Sequence, residues 1–124
     1  MYSQVNGMGL FGMNAFKVTA EIMSSRGQPS FDIVGLGDLA VQESKMRIKG
    51  ALSGIGISVS GQRLTVNLAP ADVRKCGSLY DFTIIAAILA VNNIITDDLS
   101  DCAFIGEVSL GGSLVFTGGI ISMA

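Results

Sequence analysis

The chain has no histidine and no tryptophan, and the first of these absences removes whole classes of chemistry. Without histidine there is no His-based metal site and no Ser-His or Cys-His dyad. Cysteine is scarce too. Cys76 and Cys102 are too few for a paired-CxxC zinc site and read as free cytosolic thiols. Charged residues make up only 15% of the chain, with a net charge of −2, which does not suit a chain-wide nucleic-acid or membrane binder. Tyr2 to Gly12 lacks the basic start and cleavage pattern of a signal peptide. The longest apolar run, Phe82 to Val91 interrupted by Thr83, is shorter than the roughly 20 residues a spanning helix needs. The expectation is a soluble cytoplasmic protein with no membrane partner.

What is present is apolar. At 124 residues and 49% hydrophobic, the chain suits one domain, residues 1–124, around one core. Its few charges are unevenly placed. Lys45, Arg47, Lys49, Arg63, Arg74 and Lys75 crowd one stretch, and Asp81, Asp97, Asp98, Asp101 and Glu107 follow with no further base among them. A basic and an acidic patch on one domain would suit docking against a copy of itself or a neighbouring domain. The plain alternative is a solvated mixed surface.

Periodicity predicts an α+β domain with mixed strand pairing. Tyr2 to Asn6 and Ala15 to Met23 read as strands, the second with Phe16, Val18, Ala20 and Ile22 inward. A short strand follows from Phe31 to Leu36. Asp38 then suits the N-cap of a helix over 39–53, with Val41, Ile48, Leu52 and Ile55 on one face and Gly54 and Gly56 at its end. Arg63 to Leu68 alternates again until Pro70. A helix over 80–92 is apolar on every side and should be buried. Cys102 to Ser109 and Ser113 to Phe116 read as a hairpin around "LGGS", its two glycines accepting a primed turn.

Between the Arg63 strand and the buried helix lies "APADVRKCGSLYDF", with Lys75, Cys76, Ser78, Tyr80 and Asp81 close together. Ser78 as a nucleophile would need Lys75 or a carboxylate as its base. A Lys in a charged surface turn keeps its proton near neutral pH. The simpler role is an N-cap, with Ser78 or Asp81 accepting free N–H groups at the helix start. A phosphate cradle at Gly77–Ser78 lacks the GxxxxGK[ST] pattern. Cys76 lacks a partner base. Gly118 and Gly119 suit a turn into a helix as well as a ligand approach.

Three long segments, "FDIVGLGDLAVQESKMRIKGAL", "RLTVNLAPADVRKCGSLYDF" and "FIGEVSLGGSLVFTGGI", closely resemble the amino-terminal domain of magnesium-chelatase-like AAA+ proteins, the YifB and ComM family. The resemblance covers essentially the whole chain, in order. It implies a Lon-protease-like, ribosomal protein S-five domain-2-like βαβ fold. In Lon-type enzymes the matching loop reads K-D-G-P-S-A-G, with the Ser as nucleophile and a Lys general base beyond the later G-G turn. Laid over this sequence, the nucleophile position holds Leu79 and the base position Met123. Neither side chain can attack a carbonyl or take a proton, so the resemblance implies a domain without that dyad. The alternative is a Ser-Lys peptidase with a relocated dyad, Ser78 with Lys75.

The resemblance also implies a longer protein with an AAA+ module that binds ATP and Mg, assembles into hexameric rings and drives DNA branch migration during natural transformation. No Walker motif occurs in these 124 residues, so no cofactor or metal is expected on them, and a fragment of a longer ATPase is. The implied role is an accessory domain that assembles the ring or guides DNA, with its own AAA+ module and neighbouring subunits as partners. Lys45, Arg47, Lys49, Arg74 and Lys75 are the candidate DNA or subunit contacts. Phosphate contact through them would be non-specific and strongly salt-dependent.

Overall fold

Alternation of apolar residues in four segments builds a four-stranded mixed sheet. The computed structural model describes residues 1–11, 14–35, 39–58, 61–71, 75 and 79–115. Strands β1 (Tyr2–Phe11), β2 (Asn14–Arg26), β3 (Ser30–Val34) and β4 (Gln62–Ala69) lie in the order β1-β2-β4-β3. β2 pairs antiparallel with both β1 and β4, and β3 runs parallel to β4. The register places Val5 beside Ala20 and Ala20 beside Leu68. Val18, Ala20, Ile22, Leu64, Val66 and Leu68 are all buried, as the alternation predicts. Each large aliphatic side chain buried there contributes about 1.5–3 kcal/mol. Helices α1 (Leu39–Gly54) and α2 (Asp81–Val91) pack on that face, α2 over β1 and β2 and α1 against β3. Among the described residues no helix is long and apolar enough to cross a membrane.

The first strand outruns its expected end at Asn6, although Gly7 and Gly9 are poor strand formers. Packing explains both glycines. A Cβ on Gly7 would lie 2.5 Å from Thr83 Oγ1, and one on Gly9 would lie 2.5 Å from Tyr80 Oη. At Gly7, where the Phe104 carbonyl also lies 3.1 Å from such a Cβ, glycine lets α2 cross β1 this closely, whereas at Gly9 the neighbours are the tips of the Tyr80 and Phe16 side chains.

Helix α1 buries Val41, Ile48 and Leu52, as expected, but Ile55 is 56% exposed. Ile55 lies past the helix, in a reversing turn. Ile57 N–H bonds Leu52 O at 2.9 Å and Gly56 N–H bonds Ser53 O at 3.1 Å, with Gly56 at φ +80°. This double bond pattern swings Ile57, rather than Ile55, back against the core. Helix α2 closes the same way, with Asn93 at φ +59° and Ile94 N–H bonded to Leu89 O at 2.9 Å.

The expected hairpin is shorter than its pattern. β5 (Glu107–Val108) pairs with β6 (Leu114–Val115), and Phe116 lies outside the described residues. The Cys102–Gly106 run finds other partners. Phe104 N–H bonds Asn6 O, Gly106 N–H bonds Leu79 O, and Gly106 O accepts from Phe82 N–H. The turn also differs. Gly112 has positive φ, at +95°, and Gly111 does not. Its loop has three residues, closed by Ser109 N–H to Ser113 O at 2.8 Å. The tip rests on α1, where a Cβ on Gly50 would meet Leu110 at 3.0 Å and one on Gly54 would meet Gly111 O at 3.3 Å.

Candidate functional site

Between the last residue of β4 and the first of α2, the chain carries Lys75 back beneath the end of the sheet. Lys75 is fully buried. Its Nζ donates to Gly35 O at 2.9 Å and to Pro70 O. The expected surface turn is therefore corrected: Lys75 ties the exit of β3 to the exit of β4. Its amine is turned onto these carbonyls rather than toward solvent. Arg74, Cys76, Gly77, Ser78 and Met123 lie outside the described residues, as do Gly118 and Gly119.

The start of α2 is held by backbone and by one carboxylate. Tyr80 is the N-cap residue, with φ −90° and ψ −4°, and makes no side-chain cap bond. Asp81 is thus not the cap that helix chemistry suggests. It is the first helical residue and fully buried, not part of an acidic surface. Oδ2 accepts from Arg47 Nε at 2.8 Å and from Val108 N–H at 3.2 Å. Oδ1 accepts from Arg47 Nη2 at 3.2 Å, and the same Nη2 reaches Ser44 Oγ at 3.2 Å. One carboxylate thereby joins α1, α2 and β5. The helix dipole adds to this, since a negative charge in the first turn is favourable. The hydrogen bond to Asp81 holds the Arg47 guanidinium above its ordinary pKa, against the opposing effect of burial.

Leu79, at the position matched to the Lon nucleophile, is half-buried, and its carbonyl accepts Gly106 N–H at 2.9 Å. Phe82 packs edge-on against Phe104, with centroids 5.3 Å apart. The described part of the loop is thus a brace, with its polar groups committed to backbone and to Arg47.

The three basic residues of α1 do not share a face. At about 100° per residue, Arg47 and the pair Lys45 and Lys49 project from nearly opposite flanks of the helix. Arg47 turns toward α2, while Lys49 is exposed and Lys45 half-buried. The expected "KMRIK" patch is therefore split, and Arg47 belongs to an internal ion pair.

One feature had no signal in the sequence. A polar groove of about 570 Å³ runs between β1 and the segment after α2, with Tyr2, Asn6, Lys17, Asn93, Asp97 and Asp98 on its walls. Tyr2 Oη donates to Glu21 Oε2 at 2.8 Å, and Asn67 Nδ2 donates to Glu21 Oε1 at 3.2 Å. The bond to Glu21 raises the Tyr2 pKa. The pairing of β1, β2 and β4 assembles Tyr2, Glu21 and Asn67 beside the groove, and Asn6 holds the segment after α2 against β1 through Ser100 and Ala103. Among the described residues, no group of three Cys, Asp or Glu side chains is placed to hold a metal ion.

Comparison with known proteins adds a family to this geometry. The family model described as subunit ChlI of Mg-chelatase matches residues 20–124. The uncharacterized protein YifB of Escherichia coli K12 is 36% identical over 123 residues, covering 98% of this chain and 24% of its own length. The competence protein ComM of Haemophilus influenzae is 37% identical over 111 residues, covering 89% of this chain and 22% of its own. The chain thus spans about a quarter of the length of these relatives.

Proposed function

The chain belongs to the family of the ChlI subunit of Mg-chelatase, and from that premise we propose that it is a non-catalytic accessory domain of a longer AAA+ ATPase. In this reading residues 1–124 form one Lon-like domain that assembles the ring or guides DNA. The competence link of ComM suggests DNA processing, branch migration during natural transformation, in the cytoplasm. ATP and Mg belong to the remainder of the protein, since these residues contain no Walker motif. The family label does not by itself establish magnesium insertion into a porphyrin here, since nothing in the sequence resembles a porphyrin site.

The observation that carries the reading is the commitment of Asp81. A general acid or base needs a proton site facing a reacting atom. The Asp81 oxygens face Arg47 and the Val108 N–H instead. With Leu79 at the matched nucleophile position, this supports a loop whose role is structural. The test uses the full-length protein with and without residues 1–124. Loss of ring assembly or of DNA-stimulated ATP hydrolysis on deletion is expected. Unchanged assembly, hydrolysis and branch migration would overturn it.

The second reading is the relocated Ser78–Lys75 peptidase, and one observation favours it: Lys75, three residues before Ser78, is buried rather than in the open surface turn that would keep it solvated. Incubation with a fluorophosphonate probe and with unfolded casein separates the two. We expect no labelling and no cleavage. Stoichiometric labelling at Ser78, lost in Ser78→Ala, would replace the accessory reading with the peptidase.

A further inference from the structure

The two faces left exposed at opposite ends of the sheet are complementary. At the β3 end, α1 presents Leu39 and Met46, which are 74% and 76% exposed. They lie seven residues apart, so they stack on one stripe, and Lys45 and Lys49 flank Met46 on the side away from α2. Glu43 is the one acidic residue on this helix, and Arg47 is already paired with Asp81.

At the β1 end, the segment after α2 presents Ile94, 51% exposed, with Asp97, Asp98 and Asp101 exposed beyond it. Lys17 shares the groove with Asp97 and Asp98, which leaves the acidic residues in excess. This segment is fixed in place. Asp98 Oδ1 accepts Ser100 N–H at 3.0 Å, and Asn6 Nδ2 donates to Ser100 O at 3.2 Å. The parallel bridge between Asn6 and Ala103 anchors it to the β1 edge.

Sheet order β1-β2-β4-β3 puts the two faces on opposite edges, so they cannot satisfy each other within one copy. Each pairs an exposed aliphatic side chain with charges of one predominant sign. The geometry points to a head-to-tail contact between copies of this chain, with Lys45, Met46 and Lys49 of one copy against Ile94, Asp97 and Asp98 of the next. A contact between unlike faces leaves one of each face free after every addition. It therefore generates a closed ring or an open filament rather than a symmetric dimer. This deepens the ring-assembly reading above, on which it rests, by naming the surfaces.

The test is sedimentation velocity of the 124-residue chain across rising concentration, at about 0.05 M and about 0.5 M salt. Concentration-dependent association that weakens at high salt is expected. Lys45→Glu with Lys49→Glu should weaken it by more than about tenfold, and so should Asp97→Lys with Asp98→Lys. All four changes in one chain, or an equal mixture of the two double variants, should restore it. Asp98 also accepts Ser100 N–H, so Asp97→Lys with Asp101→Lys, which keeps that turn, should give the same loss of association, and circular dichroism checks that each variant is folded. A monomer under every condition, or association indifferent to the reversals, overturns the interface. So does self-association that appears only when duplex DNA is added, which would assign the lysines to phosphates. Such a failure is distinct from failure of the accessory role, which the domain deletion reads on its own.

Discussion

Arg47 grips Asp81 with two nitrogens, Nε to Oδ2 at 2.8 Å and Nη2 to Oδ1 at 3.2 Å, and so bolts the middle of α1 to the first turn of α2. The carboxylate is fully buried, whereas the guanidinium is 23% exposed. Removing the arginine leaves a buried charge with the Val108 N–H as its remaining described donor. Arg47→Met should therefore cost about 3 kcal/mol in urea denaturation at neutral pH. Arg47→Lys should recover only part of this, because an ammonium cannot reproduce the two-pronged contact. A loss within experimental error for Arg47→Met would show that the pair contributes nothing.

Lys75 offers a second test of the loop. Lys75→Met keeps most of the apolar stem and removes the donor shared by Gly35 O and Pro70 O. A carbonyl left unpaired away from water costs about 1–3 kcal/mol, a penalty that falls on half-buried Gly35 more than on exposed Pro70. The expected result is a destabilisation of that order or more in thermal unfolding. Lys75→Ala should lose further stability through the added cavity. A Lys75→Met variant as stable as the parent would remove Lys75 from the structural frame.

Gly35 and Gly61 both have positive φ, at +110° and +78°, but only one is crowded. A Cβ on Gly35 would lie 2.3 Å from Leu68 O, while nothing lies within 4 Å of one on Gly61. Gly61→Ala should cost about 1–2 kcal/mol, the backbone penalty alone. Gly35→Ala should cost clearly more, since β4 must move to admit the methyl group. Equal midpoints for the two variants in chemical denaturation would contradict the close approach.

The carboxyl of Asp98 should titrate below its ordinary value of 3.8, because the backbone N–H and the side chain of Ser100 both bond its ionised form. A depressed folded pKa contributes stability that is present above the unfolded value and is lost as pH falls through the folded one. The window is therefore acidic, below the ordinary carboxylate range, and leaves neutral pH untouched. Ser100→Ala should move the Asp98 midpoint upward in a carbon-detected NMR titration while retaining the backbone bond. A midpoint at or above 3.8 in the parent chain would show that the turn is not formed in solution.

The sequence alone determined the elements whose burial follows a simple period. The alternation in Ala15–Met23 and Arg63–Leu68, and the helix running to Gly54, were legible because each residue's environment follows from its neighbours. The all-apolar helix was legible for the same reason, since a helix without a polar side must be enclosed. The loop was legible only as a cluster of reactive residue types. Tertiary structure decided what each of them does. Lys75 and Asp81 look like surface charges in one dimension, yet their partners Gly35, Arg47 and Val108 come from three other places in the chain. The extension of β1 through Gly7 and Gly9 was likewise invisible, because it depends on Thr83 and Tyr80 crossing above them. Local pattern encodes period, and period decides which side of an element is buried. Which carbonyl or carboxylate meets a buried charge is a property of the assembled sheet and helices, and no spacing along the chain records it.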